Sequence, residues 1–381
     1  MLSSLATMPK LVVLLNAMAL VILSCGSGEE VTVVTSPAEL PVAGEEVKRC
    51  ESGEIDGDLH LYNWIENIDP QLIAAFEDEY EVDVVEDFYV SNEALAAKMQ
   101  SGAIYDLIVP SDYMVRTMIE ENLLAPIQTE ALPNLANLAP LFLDPAYDPG
   151  GVYSVAYQWG TVGLAVSTDV VGDGVEASWA LLFDPTLIAG YPAGVSLLDD
   201  SRQTLGAALK YLGYSLNSAN EEELLEAADV IASANEYVKS FDSDSYDETL
   251  AAGQVDAAHG SSKKLGGSSA EAEVSDTVSY LIPEEGAAVW IDAMAVPANA
   301  DYPCTAHTFI NFVLEPENGA TLTNWTFHAS PNEPAERYID PQILEDEAIY
   351  PSEELSDRLE IIEDTGDFEI NYTDYFAIAK S

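Results

Sequence analysis

The chain has 381 residues, of which 48% are hydrophobic, and its 67 acidic against 13 basic residues give a formal net charge of −54. The hydrophobic content excludes a disordered chain, since disorder requires low hydrophobicity together with high charge, and the charge excludes nucleic-acid binding, since phosphates would be repelled. The length is sufficient for two lobes with separate cores, and so acidic a composition is typical of a protein adapted to a salty medium.

The N-terminal 57 residues are expected to target and tether the protein. Lys10 is the one charged residue before the apolar run 11–23, which is too short to span a bilayer. The run leads into Ser24-Cys25-Gly26 and resembles a bacterial lipoprotein signal. That resemblance implies a signal peptide at 1–24, a diacylglycerol on the thiol of Cys25, and a flexible tether up to residue 57 that holds the protein at a membrane. The alternative is an ordinary signal sequence with a cysteine after it by chance.

Strand-like and helix-like segments alternate after the tether. The first are a strand at 59–64, an amphipathic helix at 70–80, a strand at 82–90, a helix at 92–100 and a buried strand at 105–109. Further helices are predicted at 113–122, 204–212, 221–241 and 306–314, and further extended segments at 152–167, 196–198 and 289–296. Strands separated by helices of about ten residues predict parallel βαβ units and therefore an α/β fold.

Two aromatic–acid triplets in these segments indicate a binding site for an organic ammonium group. Trp64 and Glu66 are two residues apart, as are Trp290 and Asp292, and residues i and i+2 of a strand face the same side. A carboxylate gives an ammonium ion a charge-assisted hydrogen bond, and an aromatic ring adds a cation–π attraction of roughly 0.5–2 kcal/mol. Each triplet alone also fits a core tryptophan beside a solvated acid, but two of them favour a shared site.

The predicted strand ends gather further candidates. Trp64, Ser111, Trp159, Asp200 and Asp292 all fall at or close to the carboxyl end of a predicted strand. Open α/β sheets bind their ligands in the crevice outside these ends. The sequence therefore predicts that the ammonium site lies at this edge of the sheet.

The histidines and cysteines do not indicate a metal site. None of the four histidines has metal-ligand spacing, and neither CxxC nor HExxH occurs, so we expect no metal and no cofactor. If Cys25 is lipidated, Cys50 and Cys304 remain as an even pair in an oxidising compartment. A disulfide between them is compatible with the sequence, which does not establish it.

Six blocks follow one another in order over most of the chain. They are LYNWIE at 61–66, YDLIVPSDY at 105–113, YQWGT at 157–161, LLDDSR at 197–202, WIDAMAVP at 290–297 and SPN at 330–332. Together they resemble the spermidine/putrescine class of solute-binding proteins of ABC importers. The resemblance implies a two-lobed α/β periplasmic binding protein, similar to type II, in which each lobe is a mixed sheet flanked by helices. Lobe 1 would comprise 58–161 and 291–330, and lobe 2 would comprise 162–290 and 331–381.

The resemblance also assigns ligand contacts to seven residues that match the family pattern. These are Trp64, Glu66, Ser111, Tyr113, Asp200, Trp290 and Asp292. Trp290 would pack against the methylene chain of the ligand, Asp292 would clamp an amino group, and Asp200 would supply an acid from lobe 2. Two alternatives stay open, because Ser111 also fits a helix cap and Tyr113 also fits a structural role.

Three positions depart from the family pattern. Gln203 stands where the spermidine binders have a second acid, Ser261 where they have a second cleft tryptophan, and His328 where they have a tyrosine. Lys263 and Lys264 follow at once and would oppose a bound cation unless they point away. Two interpretations result: a shorter diamine such as putrescine, or a different amine that shares only the ammonium anchor.

We therefore expect a monomeric, membrane-anchored, extracytoplasmic protein that captures a polyamine or a related organic cation. It would perform no chemistry and would deliver its ligand to an ABC permease in the inner membrane. A binding protein of this fold for another small solute, or one that serves a sensor receptor, would share these features. A distant alternative is a secreted hydrolase with Glu66 and Asp292 as general acid and base, although no GxSxG motif supports acyl transfer.

Overall fold

The computed structural model of the protein describes residues 48–172, 174–265, 277–363 and 365–381. The predicted signal peptide, Cys25 and most of the predicted tether lie outside these residues. Within the described ranges the chain is α/β, with a mixed sheet flanked by helices, as predicted. No helix there is long and apolar enough to cross a membrane.

The strands follow one another along the chain from Leu59 to Ile361. They are β1 (Leu59–Trp64), β2 (Val84–Tyr89), β3 (Leu107–Ile108), β4 (Ser154–Ser167), β5 (Val195–Leu197), β6 (Val238–Phe241), β7 (Ala257–Ser261), β8 (Val278–Leu281), β9 (Ala288–Ala295) and β10 (Glu360–Ile361). The α-helices are α1 (Pro70–Tyr80), α2 (Asn92–Gln100), α3 (Asp112–Glu120), α4 (Thr168–Val171), α5 (Ala180–Phe183), α6 (Pro185–Ile188), α7 (Ser201–Tyr211), α8 (Glu221–Ala234), α9 (Tyr246–Ala251), α10 (Ser262–Leu265), α11 (Pro303–Val313), α12 (Pro316–Thr326), α13 (Pro341–Leu344), α14 (Glu353–Ser356) and α15 (Glu369–Ala379). Short 3₁₀ segments lie at Thr129–Ala131, Pro133–Asn137, Pro140–Phe142, Glu333–Tyr338 and Gly366–Phe368.

All of these strands belong to one sheet, in the order β2-β1-β3-β9-β4-β7-β5-β6, with β10 beside β9 and β8 beside β4. Each end of the sheet is parallel: β1 pairs with β2 and β3, and β5 pairs with β6 and β7. The two long central strands, β4 and β9, are antiparallel to each other and to their outer neighbours β7 and β3. The parallel βαβ units expected from the sequence thus lie at both ends, joined through β4 and β9.

Two parts of this order differ from the prediction. Trp159 and Asp292 do not lie at strand ends but inside β4 and β9, because the pairing of these two strands continues past both residues. The helix predicted over 221–241 ends at Ala234, since the following segment pairs with β5 as β6, with Val238 opposite Val195. Pairing with a neighbouring strand therefore overrides the helical pattern there.

Separate hydrophobic cores pack against the two ends of the sheet. The β1–β3 end is covered by one core around Phe76 and Phe309 and by a second around Met118. The β5–β7 end has its own core around Trp179 and Tyr372. Residues 331–344, which the sequence assigned to lobe 2, pack instead against α12 through a small cluster with Ala320.

The N-terminal part of the described chain is fastened to α11. Cys50 and Cys304 form a disulfide. Nearby, Asp56 accepts hydrogen bonds from the backbone N–H of Thr305 at 2.8 Å and from its hydroxyl at 2.9 Å. These contacts fix the start of β1, and with it the position of Trp64 at the far end of that strand.

Candidate functional site

A cleft opens between the two ends of the sheet, beside the central strands β4 and β9. It has a volume of about 480 Å³ and adjoins a second cavity of about 600 Å³. The cleft is lined by Trp64, Ile65, Tyr89, Val90, Ser111, Val162, Leu198, Asp200, Gln203, Ser243, Tyr246, Ser261, Lys263, Trp290 and Asp292. Seven of the ten residues predicted as ligand contacts are therefore brought to one cleft.

Asp292 and Trp290 lie on the same face of β9, as the alternation of a strand requires. Asp292 is only 2% exposed. The hydroxyl of Ser111, which follows β3, donates to its Oδ1 at 2.8 Å. Ser111 makes no side-chain hydrogen bond to α3, so its hydroxyl serves the carboxylate and does not cap the helix.

Gly160 of β4 makes room for the indole of Trp290. The two residues are cross-strand partners. A Cβ at Gly160 would lie 2.5 Å from Cζ2 of Trp290 and 2.5 Å from the hydroxyl of Ser262. Only glycine lets the ring lie this close to the neighbouring strand.

Trp64 is the last residue of β1, and a hydrogen bond from the N–H edge of its indole holds the ring in place. Its Nε1–H donates to the carbonyl of Val109 at 3.0 Å, and Tyr89 donates to the same carbonyl through its hydroxyl. The rings of Trp64 and Tyr89 contact each other with centroids 4.6 Å apart. One hydrogen bond and one ring contact therefore fix the plane of the indole at the cleft.

Lys263, in the short helix α10 after β7, reaches into this group. Its Nζ lies 2.9 Å from Oδ2 of Asp292. The same ammonium lies 4.8 Å from the ring centroid of Trp64 and 5.6 Å from that of Trp290. Lys263 thus does not point away, and it places a primary ammonium in a cage of one buried carboxylate and two indole rings.

Glu66 and Tyr113 do not join this cage. Strand β1 ends at Trp64, and Glu66 lies in the following turn with φ +55°, so the same-face rule does not apply to this triplet. Its side chain is exposed and is absent from the cleft lining. Tyr113 is 52% exposed, lines the second cavity, and hydrogen-bonds through its hydroxyl to Asn92 and Glu93. The prediction for Glu66 was therefore wrong in its geometry.

His328 supports the cage from behind and does not line the cleft. Its ring stands perpendicular to Trp290, with centroids 5.2 Å apart. Gln158 donates its amide N–H to Asn67, so its Oε1 accepts a hydrogen bond from Nδ1–H of His328 at 2.6 Å. Burial, together with the charge of Lys263, holds the pKa of His328 well below its usual value. The imidazole is therefore neutral and acts as a wall for Trp290.

The remaining predicted contacts lie on the β5–β7 side of the cleft. Asp200 caps α7, accepting at Oδ1 from the backbone N–H groups of Arg202 and Gln203, both at 2.9 Å. Gln203 lies in the first turn of that helix, and its amide oxygen accepts no hydrogen bond from any residue that the structure describes. Ser261 accepts at its hydroxyl from the backbone N–H of Lys263 at 3.2 Å, which helps to hold α10.

The family now follows from comparison. Residues 71–350 match the bacterial extracellular solute-binding protein family over more than half of the chain. The chain belongs to this family. A solute-binding protein of this kind is extracytoplasmic and is not an enzyme, in agreement with the expectation from the sequence.

Individual relatives match four fifths or more of this chain. The putrescine/cadaverine-binding protein of Pseudomonas aeruginosa is 33% identical over 312 residues, covering 80% of this chain and 88% of its own. The spermidine/putrescine-binding protein PotD of Streptococcus pneumoniae has a TM-score of 0.78 and 31% identity, covering 85% of this chain and 99% of its own. A lipoprotein of Treponema pallidum has a TM-score of 0.70 and 32% identity, covering 84% and 99%.

The second cavity of this solute-binding protein is rich in charged groups. Its charged lining residues are Asp112, Arg116, Glu120, Asp200, Arg202, Glu363 and Glu369. Burial, helped by the charge of Asp292, raises the pKa of Asp112 to about 7, against a hydrogen bond from the backbone N–H of Tyr113. Arg202 pairs with Glu369 at 2.8 Å. Acids thus continue from the ammonium cage into the neighbouring space, where a second cationic group could be received.

Four residues that shape or enter the site are not among the predicted ligand contacts. Tyr89, Tyr246 and Gly160 shape the cleft, and Lys263 enters it. Gly160 lies within the YQWGT block, and a glycine in an extended segment is a signal of close approach that could have identified it. The orientation of Lys263 has no such signal, because it depends on how the chain turns after β7.

Proposed function

We propose that this solute-binding protein captures a polyamine in the cleft around Asp292 and delivers it to an ABC permease. The observation that carries the proposal is the cage of Asp292, Trp64 and Trp290, which holds a primary ammonium at hydrogen-bond distance. A carboxylate with two indole faces is selective for organic ammonium ions over metal ions, which gain little from an apolar ring surface. The names of the relatives, which include putrescine and spermidine binders, support the same ligand class.

The cleft favours a diamine over a longer polyamine. The cage provides one ammonium position, and the adjoining cavity provides acids for a second one, among them Asp200 and Glu363. Gln203 has no charge with which to balance a third ammonium group. Putrescine is therefore the ligand that we propose first, with Ser111 and Asp292 as its anchor at one end.

Binding would proceed by closure of the two lobes. We assign 58–161 and 291–344 to lobe 1 and 162–290 and 345–381 to lobe 2, since residues 331–344 pack against α12. The cleft is lined by Trp64 and Ser111 from one side and by Gln203 and Ser261 from the other. A ligand that contacts both sides shifts the population toward the closed form that a permease recognises.

We also propose that the protein acts as a monomer anchored through a lipid on Cys25. The signal-like sequence before this cysteine supports the anchor. A relative with 32% identity that is itself a lipoprotein adds to this support. Metabolic labelling with a fatty acid analogue, compared between the native protein and Cys25→Ser, tests the anchor, and equal labelling of the two would contradict it.

Calorimetric titration tests the ligand. The protein without residues 1–25 should be titrated with putrescine, spermidine, agmatine and glycine betaine, and with 1,4-butanediol as a neutral molecule of the same length as putrescine. We expect saturable one-to-one binding of putrescine and no heat from the diol. Circular dichroism under the conditions of the titration should verify that the protein is folded. Absence of binding by any amine to folded protein would refute the proposal.

A further inference from the structure

We infer that Lys263 is an internal occupant of the ammonium site, whose side chain takes the place of a ligand amino group until a polyamine displaces it. The inference rests on the proposed function and adds to it a residue that controls affinity. It begins from the contacts of Lys263, since an ammonium bonded to Asp292 and facing both Trp64 and Trp290 has the contacts that a ligand amine would make.

The cage offers a cation one carboxylate oxygen. Asp292 is 2% exposed, and both of its oxygens are engaged, Oδ1 by the hydroxyl of Ser111 and Oδ2 by Lys263. A ligand ammonium at Oδ2 would lie beside the like charge of Lys263 Nζ, and this repulsion opposes sharing of the oxygen. Lys263 and the ligand therefore compete for a single position.

Two energy costs suit Lys263 to this role: that of leaving Asp292 unpaired and that of releasing the lysine into water. A buried carboxylate without a cation is costly, so an empty site gains from an internal partner. The side chain of Lys263 is 28% exposed, whereas that of Asp292 is 2% exposed. The ammonium therefore has access to water when it leaves, and its release costs less than removal of a fully enclosed charge.

The competition has a consequence for ligand choice. A monoamine exchanges one ammonium for another at Asp292 and gains little. A diamine also brings a second ammonium to the acids of the adjoining cavity, where Asp200 and Glu363 lie. Lys263 would thus set an affinity threshold that only ligands with two or more cationic groups exceed.

The experiment compares Lys263→Met with Lys239→Met by calorimetry, using putrescine and butylamine as probes. Lys239 is exposed on β6 and outside the cleft, so its substitution changes net charge by the same amount without touching the cage. If Lys263 occupies the site about nine tenths of the time, its removal lowers the Kd for putrescine roughly tenfold, because apparent affinity scales with the competent fraction. Butylamine should change from undetectable to measurable binding, and Lys239→Met should bind as the native protein does.

A second substitution and a second measurement keep the test valid if Lys263→Met folds poorly. Lys263→Gln removes the charge with a polar side chain and should reproduce the gain in affinity. Without ligand, both Lys263 variants should melt at a lower temperature than the native protein, since Asp292 loses its partner, and putrescine should raise their Tm by more than it raises the native Tm.

The outcomes separate this inference from the proposed function. Native protein that binds putrescine while folded Lys263→Met binds it equally or more weakly would overturn the inference and leave the polyamine function intact. Failure of the native protein and both Lys263 variants to bind any amine would overturn both. A tenfold gain in both Lys263 variants, with Lys239→Met unchanged, would establish the lysine as the occupant.

Discussion

Asp292 is the residue on which recognition depends, because it combines deep burial with two committed hydrogen bonds. Ser111 orients one oxygen, and the other faces the ammonium position between two indoles. The carboxylate itself is 2% exposed, so its pairing with a cation is stronger than a pairing between two exposed groups. The indoles exclude water and contribute cation–π attraction, but they carry no net charge to compensate for a lost carboxylate.

Substitution Asp292→Asn should therefore abolish most putrescine binding. Loss of one partner from a buried charge pair costs about 2–5 kcal/mol, which corresponds to a rise in Kd of roughly thirty- to several-thousand-fold. Asp199→Asn is the matched control, because Asp199 is 52% exposed on its side chain and pairs with Lys380 at the surface. Calorimetry on the three proteins measures the effect. An unchanged Kd in Asp292→Asn would show that the anchor lies elsewhere.

The two triplets show what a sequence does and does not specify at this scale. Trp290 and Asp292 share a face because both lie inside β9, whose apolar run specifies a strand. Trp64 and Glu66 do not, because β1 ends between them and Glu66 takes a left-handed conformation. A spacing of two residues predicts a shared face only where hydrogen bonds to a neighbouring strand continue through both residues.

His259 gives the protein a pH dependence that is independent of the cleft anchor. The side chain is 1% exposed and lies beside Trp179, with ring centroids 5.1 Å apart. Burial lowers the pKa of His259 to about 3, so the folded protein binds fewer protons at this residue than the unfolded chain, in which a histidine titrates near 6.5. Its contribution to stability is complete above about pH 6.5 and is lost as the pH falls toward 3.

His259→Gln should remove this dependence. The free energy of unfolding of the native protein minus that of the variant should decrease by about 1.4 kcal/mol for each pH unit below 6.5. Urea unfolding of both proteins at pH 7, 6 and 5 measures the difference, and changes from all other groups cancel in it. A difference that is constant with pH would contradict a buried, neutral His259.

At the scale of elements, the pairing of β4 with β9 builds the floor of the cleft. Gly160 faces Trp290 across this pair, and Gln158 faces Asp292. Gln158 in turn holds His328 against the indole. The site thus depends on two adjacent strands in a fixed register as much as on its ligand-facing side chains.

Gly160→Ala should move the indole of Trp290 out of the cage. The new methyl group would lie 2.5 Å from that ring and 2.5 Å from the hydroxyl of Ser262, so both contacts have to be relieved. We expect roughly tenfold weaker putrescine binding, equivalent to about 1.4 kcal/mol, together with a stability loss of about 1–3 kcal/mol. Gly319→Ala in α12 is the control, since its nearest contact would be an ordinary 3.4 Å, and its binding should be unchanged. Equal binding by both variants would refute the close-approach role.

Local signals identified many elements of this fold. Helix α1 starts and ends where predicted, because Asp69 caps it through the backbone N–H of Gln71 and Pro70 occupies its first turn. Strand β10 was not predicted, since two residues carry no period, and it exists through pairing with β9 about 70 positions earlier in the chain. Ion pairs from Arg202 to Glu369 and from Lys210 to Glu360 hold this returning segment, and contacts between such distant residues are not encoded in local pattern.

The protein combines one proposed cation-binding cleft with a large excess of acidic over basic residues in the whole chain. Its net charge of −54 disfavours the compact state through self-repulsion, which dissolved salt screens. The same screening weakens the attraction of a dication to the cleft. Stability and affinity are therefore expected to respond to salt in opposite directions, although both responses originate in the same charges.

Thermal unfolding, urea unfolding and putrescine titration between 0.05 and 1 M NaCl test this opposition. The Debye length falls from more than 10 Å to about 3 Å over this range, so repulsion between surface acids is largely removed. We expect the Tm to rise by roughly 5–10 °C, as a few kcal/mol of added stability would give, while the Kd for putrescine increases. The increase in Kd should be less steep than for exposed charges, because Asp292 is enclosed and its pairing is poorly screened. Urea is required as denaturant since guanidinium is itself a salt. A Tm that stays constant or falls with added NaCl would show that the acids do not oppose folding, and the salt dependence of binding would then belong to the cleft alone.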